Sequence, residues 1–139
     1  MLASFYALQL FFLTLLSYED YRTKHVSLGM LLLFVALTMG GLIFLNHPFD
    51  YPLVLGVLGF LIFLKMLVFL GARTSLIGNG DLILLLPLLL SIERSELSLF
   101  LILAGLGGVI MNALSASKEA PFVPALSISY GTVLLLRHL

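Results

Sequence analysis

Apolar runs follow one another down this chain with only short polar links between them, and several approach the ~20 residues that span a bilayer as helix. A soluble domain carries roughly a quarter charged residues, whereas this one is 10% charged and 61% hydrophobic over 139 residues. Too little polar surface exists to cover such a chain in water, so lipid is the expected solvent. Backbone groups in lipid must be satisfied internally, and the apolar runs carry no alternating polar face, so the fold expected is all-α. Lys+Arg and Asp+Glu balance at seven each, which leaves no charge excess to attract nucleic acid. The chain has no cysteine, which excludes disulfides, thiolate metal sites and a cysteine nucleophile. His25, His47 and His138 are too scattered to form a ligand spacing.

Six spans can be drawn: residues 2–16, 26–45, 51–70, a fourth from 75 or 81 to 92, 97–114 and 121–136. The expectation is a polytopic membrane bundle of about six helices forming a single domain over residues 1–139. Short links predict antiparallel neighbours in sequence order. The N-terminus lacks a basic region before its apolar run, so the first segment reads as a permanent span rather than a cleaved signal. Arg22, Lys24, Arg73 and Lys118 lie in odd-numbered loops, against Arg94 and Arg137 on the other side. Positive charge favours the cytoplasm, which puts both termini outside. Small residues at Gly40-Gly41, Gly56 with Gly59, Ala104 with Gly108, and Ser127 with Gly131 are candidate helix contacts.

The fourth span is exceptional. From Asp81 to Ile92 it covers only ~18 Å at 1.5 Å per residue, and Gly78-Asn79-Gly80 precedes it. Two glycines around an asparagine favour a turn with positive φ. Such a break at membrane depth requires shelter by protein or a wet cavity. Asp81 then stands at the start of a short helix, where free N–H groups favour an anion, or serves simply as its N-cap. Asp20 lies at the same predicted side, at the end of the first span. It reads either as half of a carboxylate pair or as a solvated charge among Glu19, Arg22 and Lys24. Intramembrane carboxylates are costly and mark functional sites.

The segment Asp20-Tyr21-Arg22-Thr23-Lys24-His25-Val26 resembles the first aspartate motif of the type IV prepilin peptidases. Gly78-Asn79-Gly80-Asp81 matches the Gly-x-Gly-Asp signature of that class of intramembrane aspartic proteases, and Pro121-Phe122-Val123-Pro124 resembles the Pro-Phe-Gly-Pro stretch opening its last helix. The chain departs from the pattern at Val26-Ser27 (usually Ile-Pro), at Ile83 (commonly Lys) and at Val123 (usually Gly). It has no room for the cytoplasmic cysteine-bearing domain of larger members. The resemblance therefore implies the minimal, peptidase-only form that serves tight-adherence pili, without N-methyltransferase activity, in a bacterial cytoplasmic membrane.

What the resemblance implies for chemistry is hydrolysis by Asp20 and Asp81, with no metal or organic cofactor. Two close carboxylates cannot both ionise, so the pair shares one proton and titrates as a unit. The implied substrate is a prepilin or pseudopilin, cut between its basic leader and its apolar helix. Gly78 and Gly80 would let an extended substrate backbone approach Asp81, and Glu19 would face loop water or the leader's basic residues. Lys65, in the third span, either snorkels to the interface or supplies the positive charge missing at Ile83. Two other classes remain open: a pilin-binding assembly protein that does not cut, and a small proton- or ion-coupled transporter, which also uses broken helices and buried carboxylates.

Overall fold

The computed structural model describes residues 2–23, 25–48, 50–72, 79–114 and 121–137. Among these it is all-helical, with six helices: α1 (Leu2–Thr23), α2 (Leu28–Phe44), α3 (Tyr51–Ala72), α4 (Asn79–Ser91), α5 (Arg94–Leu114) and α6 (Val123–Arg137). Their ends are written in the local sequence. After α2, Asn46 adopts φ 50°, and the His47 N–H donates back to the Leu42 carbonyl at 3.0 Å. That left-handed step closes the helix, and Pro48 bars its continuation. Asp50 starts α3 by accepting the Leu53 N–H at 3.3 Å, the ordinary N-cap bond. At α5 the Glu96 carboxylate reaches back to the Glu93 N–H at 3.2 Å, half of a capping box.

Helix α1 runs further than the apolar pattern suggests. The polar stretch from Ser17 onward stays helical to Thr23. Its buried stripe is Tyr6, Gln9, Leu13, Leu16 and Asp20, spaced three and four apart along one face. Asp20 is therefore 7% exposed and sits inside the packing, which overturns its reading as a solvated charge at a helix end.

Four helices make the core. α1 packs on α2 and α6, α4 packs on α2 and α6, and α3 and α5 flank α4 and α6 from outside. Sequence neighbours thus meet at α1–α2, α3–α4 and α5–α6, while α1–α6, α2–α4 and α4–α6 join helices distant in sequence. Among the described residues α4 covers 13 positions and is the most buried helix, with Leu84, Leu85 and Pro87 through Ser91 inside the packing.

Small residues matter where the backbones approach. A Cβ at Gly107 would stand 2.9 Å from Ala125 Cβ, one at Gly108 would stand 2.8 Å from the Phe122 ring, and one at Gly41 would overlap Phe5. Gly40, Gly56 and Gly59 have nothing within 4 Å, so that part of the small-residue expectation does not mark a contact.

Large apolar side chains cover the outside, among them Phe11, Leu32, Phe44, Leu55, Phe63, Val109 and Leu114. Among the described residues one helix, Arg94–Leu114, is both long and apolar enough to cross a membrane, and only 11% of its most apolar window is buried in the protein. A core helix of a soluble protein would be mostly covered. The described parts of Leu28–Phe44, Tyr51–Phe63, Asn79–Ser91 and Val123–Arg137 are apolar but shorter.

Candidate functional site: one end of the four-helix core

Helix directions follow from side-chain contacts. At one end of the core, Arg137 of α6 donates from Nε to Glu96 of α5 at 2.8 Å and from Nη1 to the Tyr6 hydroxyl of α1 at 2.7 Å. Its guanidinium carbon also lies 5.4 Å from the Tyr6 ring centroid, and Nη2 pairs with Glu96 and stands 3.9 Å from Glu93. So α1 starts, α5 starts and α6 ends together, and α4, joined to α5 through Ile92-Glu93, ends there too. The other end collects the finish of α1 with the starts of α2, α4 and α6.

That second end carries the candidate site. Asp20 Oδ2 accepts the backbone N–H of Val123 at 3.1 Å. Val123 is the first residue of α6, and the carboxylate therefore satisfies one of the N–H groups that a helix start leaves unpaired. It also lies at the positive end of the α6 dipole. Glu19, one residue earlier and turned by about 100°, serves a different helix. Its Oε2 accepts the Ser27 backbone N–H at 3.2 Å and the Ser27 hydroxyl at 3.3 Å, at the N-cap of α2. Adjacent carboxylates on α1 thus hold the starts of two neighbouring helices. The two bonds to Ser27 anchor Glu19 to the start of α2.

On the opposite side of the core, α4 begins at Asn79, so Asp81 is its third residue rather than its cap. Asn79 and Gly80 are helical, and among the described glycines none has positive φ, which corrects the expected turn at these two positions. Gly78 lies outside the described residues. Asp81 is half-buried, and among the described residues nothing lies within 4 Å of the place a Cβ on Gly80 would occupy. The Lys65 ammonium of α3 donates to Asn79 Oδ1 at 2.6 Å, which brings a cation to the start of α4 two residues from Asp81.

The axial register of the two aspartates can be read from a buried layer further along the core. Tyr130 on α6 donates to Gln9 Oε1 on α1 at 2.5 Å, and Ser91 on α4 lies 2.9 Å from the same phenol oxygen. From that layer Asp20 is eleven residues along α1, ~16 Å, and Asp81 is ten residues along α4 in the same direction, ~15 Å. The two carboxylates share one end of the core and, to within about one helical turn, one level.

Sequence reasoning missed Val123 as the partner of Asp20, although the Pro121-Phe122 pair ahead of α6 was a visible helix-start signal. It also missed Gln9, Ser91 and Tyr130, and Arg137 with Glu96. Gln9 was findable: it falls on the same three-four stripe as Tyr6, Leu13, Leu16 and Asp20. Among the described residues no three His, Cys, Asp or Glu side chains gather as a metal-ligand set. No family model, curated protein or solved structure matches this chain.

Proposed function

We propose that this chain is an intramembrane aspartic endopeptidase of the prepilin-peptidase type, crossing a bacterial cytoplasmic membrane six times with both termini outside. The observation that carries the reading is the shared level of Asp20 and Asp81 at one end of the core, with Asp20 sheltered under the start of α6. In this orientation that end faces the cytoplasm, where the basic leader of a prepilin or pseudopilin would arrive. The exposed apolar faces of α3 and α5 would then meet lipid, and the short α4 would start below the headgroups beside its flanking helices.

The chemistry proposed is addition of water to a peptide carbonyl. One ionised carboxylate takes a proton from the water as its oxygen bonds to the carbonyl carbon; the protonated partner gives its proton to the carbonyl oxygen. Collapse of the tetrahedral intermediate breaks the C–N bond and delivers a proton to the leaving amine. No metal or organic cofactor takes part in this scheme. The lack of a side chain at Gly80 supports close approach of an extended substrate backbone to Asp81. Lys65 stands where it can steady negative charge at the start of α4.

Co-expression with a tight-adherence-type prepilin, read by a gel shift for leader loss, tests the proposal. The native chain should process the leader, and Asp20→Asn and Asp81→Asn should each abolish processing. Processing by either variant at the native rate removes that aspartate from the catalytic pair; processing by both ends the protease reading. A native chain that holds the prepilin without cutting it leaves a pilin-binding assembly protein instead. A Lys65→Met variant that cuts at the native rate takes Lys65 out of the site.

A further inference from the structure

The buried polar layer that relates the aspartates is incomplete on one side. Tyr130, Gln9 and Ser91 are at most 3% exposed, and they link α6, α1 and α4. Ser91 Oγ also lies 2.8 Å from the Leu88 carbonyl. The fourth core helix, α2, brings Thr38, which is 0% exposed. Among the described residues neither Thr38 Oγ1 nor Gln9 Nε2 has a hydrogen-bond partner. Elsewhere in these helices the small hydroxyls turn to the carbonyl four residues back: Thr14 at 2.6 Å, Ser129 at 2.7 Å and Thr132 at 2.8 Å. Thr38 does not. Instead it lines a small cavity together with Gln9, walled otherwise by Phe5, Phe12, Phe34 and two leucines.

The two residues also share a depth. Gln9 is ten residues before Glu19 and Thr38 is eleven after Ser27, and Glu19 and Ser27 are the pair that pins α1 to α2. The cavity, at ≈ 10 Å³, has room for about one water molecule. Gln9 and Thr38 both line this mainly apolar space. Two buried polar atoms are costly if left alone, and more so at membrane depth on the function proposed above. A water offers two donors and two acceptors and meets both.

We propose that this cavity is a binding site for a single water, which accepts a hydrogen bond from Gln9 Nε2 and bonds Thr38 Oγ1. The layer is then closed, with one polar side chain from each of α1, α2, α4 and α6.

The chain has a single glutamine, so selective ¹⁵N-glutamine labelling gives one side-chain amide to observe. In lipid nanodiscs, magnetisation transfer from water to the Gln9 amide should be seen in the native chain and in Thr38→Ser, which keeps the hydroxyl. It should fall at least fivefold in Thr38→Val, which keeps the shape. No transfer in the native chain, or full transfer in Thr38→Val, overturns the proposal. As a second readout, Gln9→Met and Thr38→Val should each shift the unfolding equilibrium by about threefold to tenfold, and the double variant by no more than either alone. Fully additive shifts would overturn the bridge.

Discussion

Asp20 holds one oxygen on the Val123 N–H, so its variants separate structure from chemistry. An asparagine side-chain oxygen can accept the same bond, whereas alanine leaves a buried Val123 N–H unpaired. Asp20→Asn should therefore unfold close to the native chain, while Asp20→Ala should lose about 1–3 kcal/mol. Both should fail to process a leader. Denaturation in mild detergent, run beside the cleavage gel, checks the pair of outcomes. If Asp20→Asn is as unstable as Asp20→Ala, the buried carboxylate has a structural demand that an amide cannot meet. Gly80 makes a complementary case. Among the described residues nothing obstructs a Cβ there, so Gly80→Ala should raise stability by roughly 0.5–1 kcal/mol through helix propensity. The same methyl would stand where substrate backbone is proposed to lie, and the cleavage rate should drop. A Gly80→Ala chain that is both more stable and fully active would show that the substrate runs elsewhere.

Among elements, the seam between α1 and α2 depends on Gly41 rather than on the Gly40-Gly41 pair as a unit. A methyl at Gly41 would overlap the Phe5 ring, and one at Gly40 meets nothing within 4 Å. Gly41→Ala should destabilise by about 1–3 kcal/mol as the ring is displaced, a typical overpacking cost. Gly40→Ala should be neutral or mildly stabilising, and Phe5→Leu should relieve much of the Gly41→Ala loss. Thermal unfolding of the four chains decides this, and equal effects at positions 40 and 41 would contradict the packing. The opposite end of the core hangs on Arg137, which ties α6 to α5 and α1 through Glu96 and Tyr6. Replacing it with methionine removes charge-assisted hydrogen bonds worth about 1.5–3 kcal/mol each, and leaves Glu96 half-buried without its cation. Loss in that range on unfolding is the expected result, and Glu96→Gln in the Arg137→Met chain should recover part of it by removing the unpaired charge.

For the molecule as a whole, the proposed orientation puts the aspartate end in the cytoplasm. The chain has no native cysteine, so single cysteines report topology without background. His25 and Ser95 are both exposed, at opposite ends of the core. A membrane-impermeant maleimide on intact cells should label Ser95→Cys and should reach His25→Cys only after lysis. The reverse pattern would place Asp20 and Asp81 away from a cytoplasmic leader, and leader cleavage there would be untenable.

Much of this was legible in the residues themselves. The apolar runs pointed to helices, and the described residues are all-helical. The carboxylates Asp20 and Asp81 were likewise visible, since charge interrupts an otherwise uniform pattern. Pairing was not visible. That Asp20 reaches α6, Glu19 reaches α2, and Lys65 reaches Asn79 depends on which helices lie side by side, and nearly uniform leucine-rich faces do not encode neighbours. Only the tertiary arrangement of α1, α2, α4 and α6 decided it, through close approach at Gly41, Gly107 and Gly108 and through a few polar side chains whose partners lie up to 131 residues away in sequence.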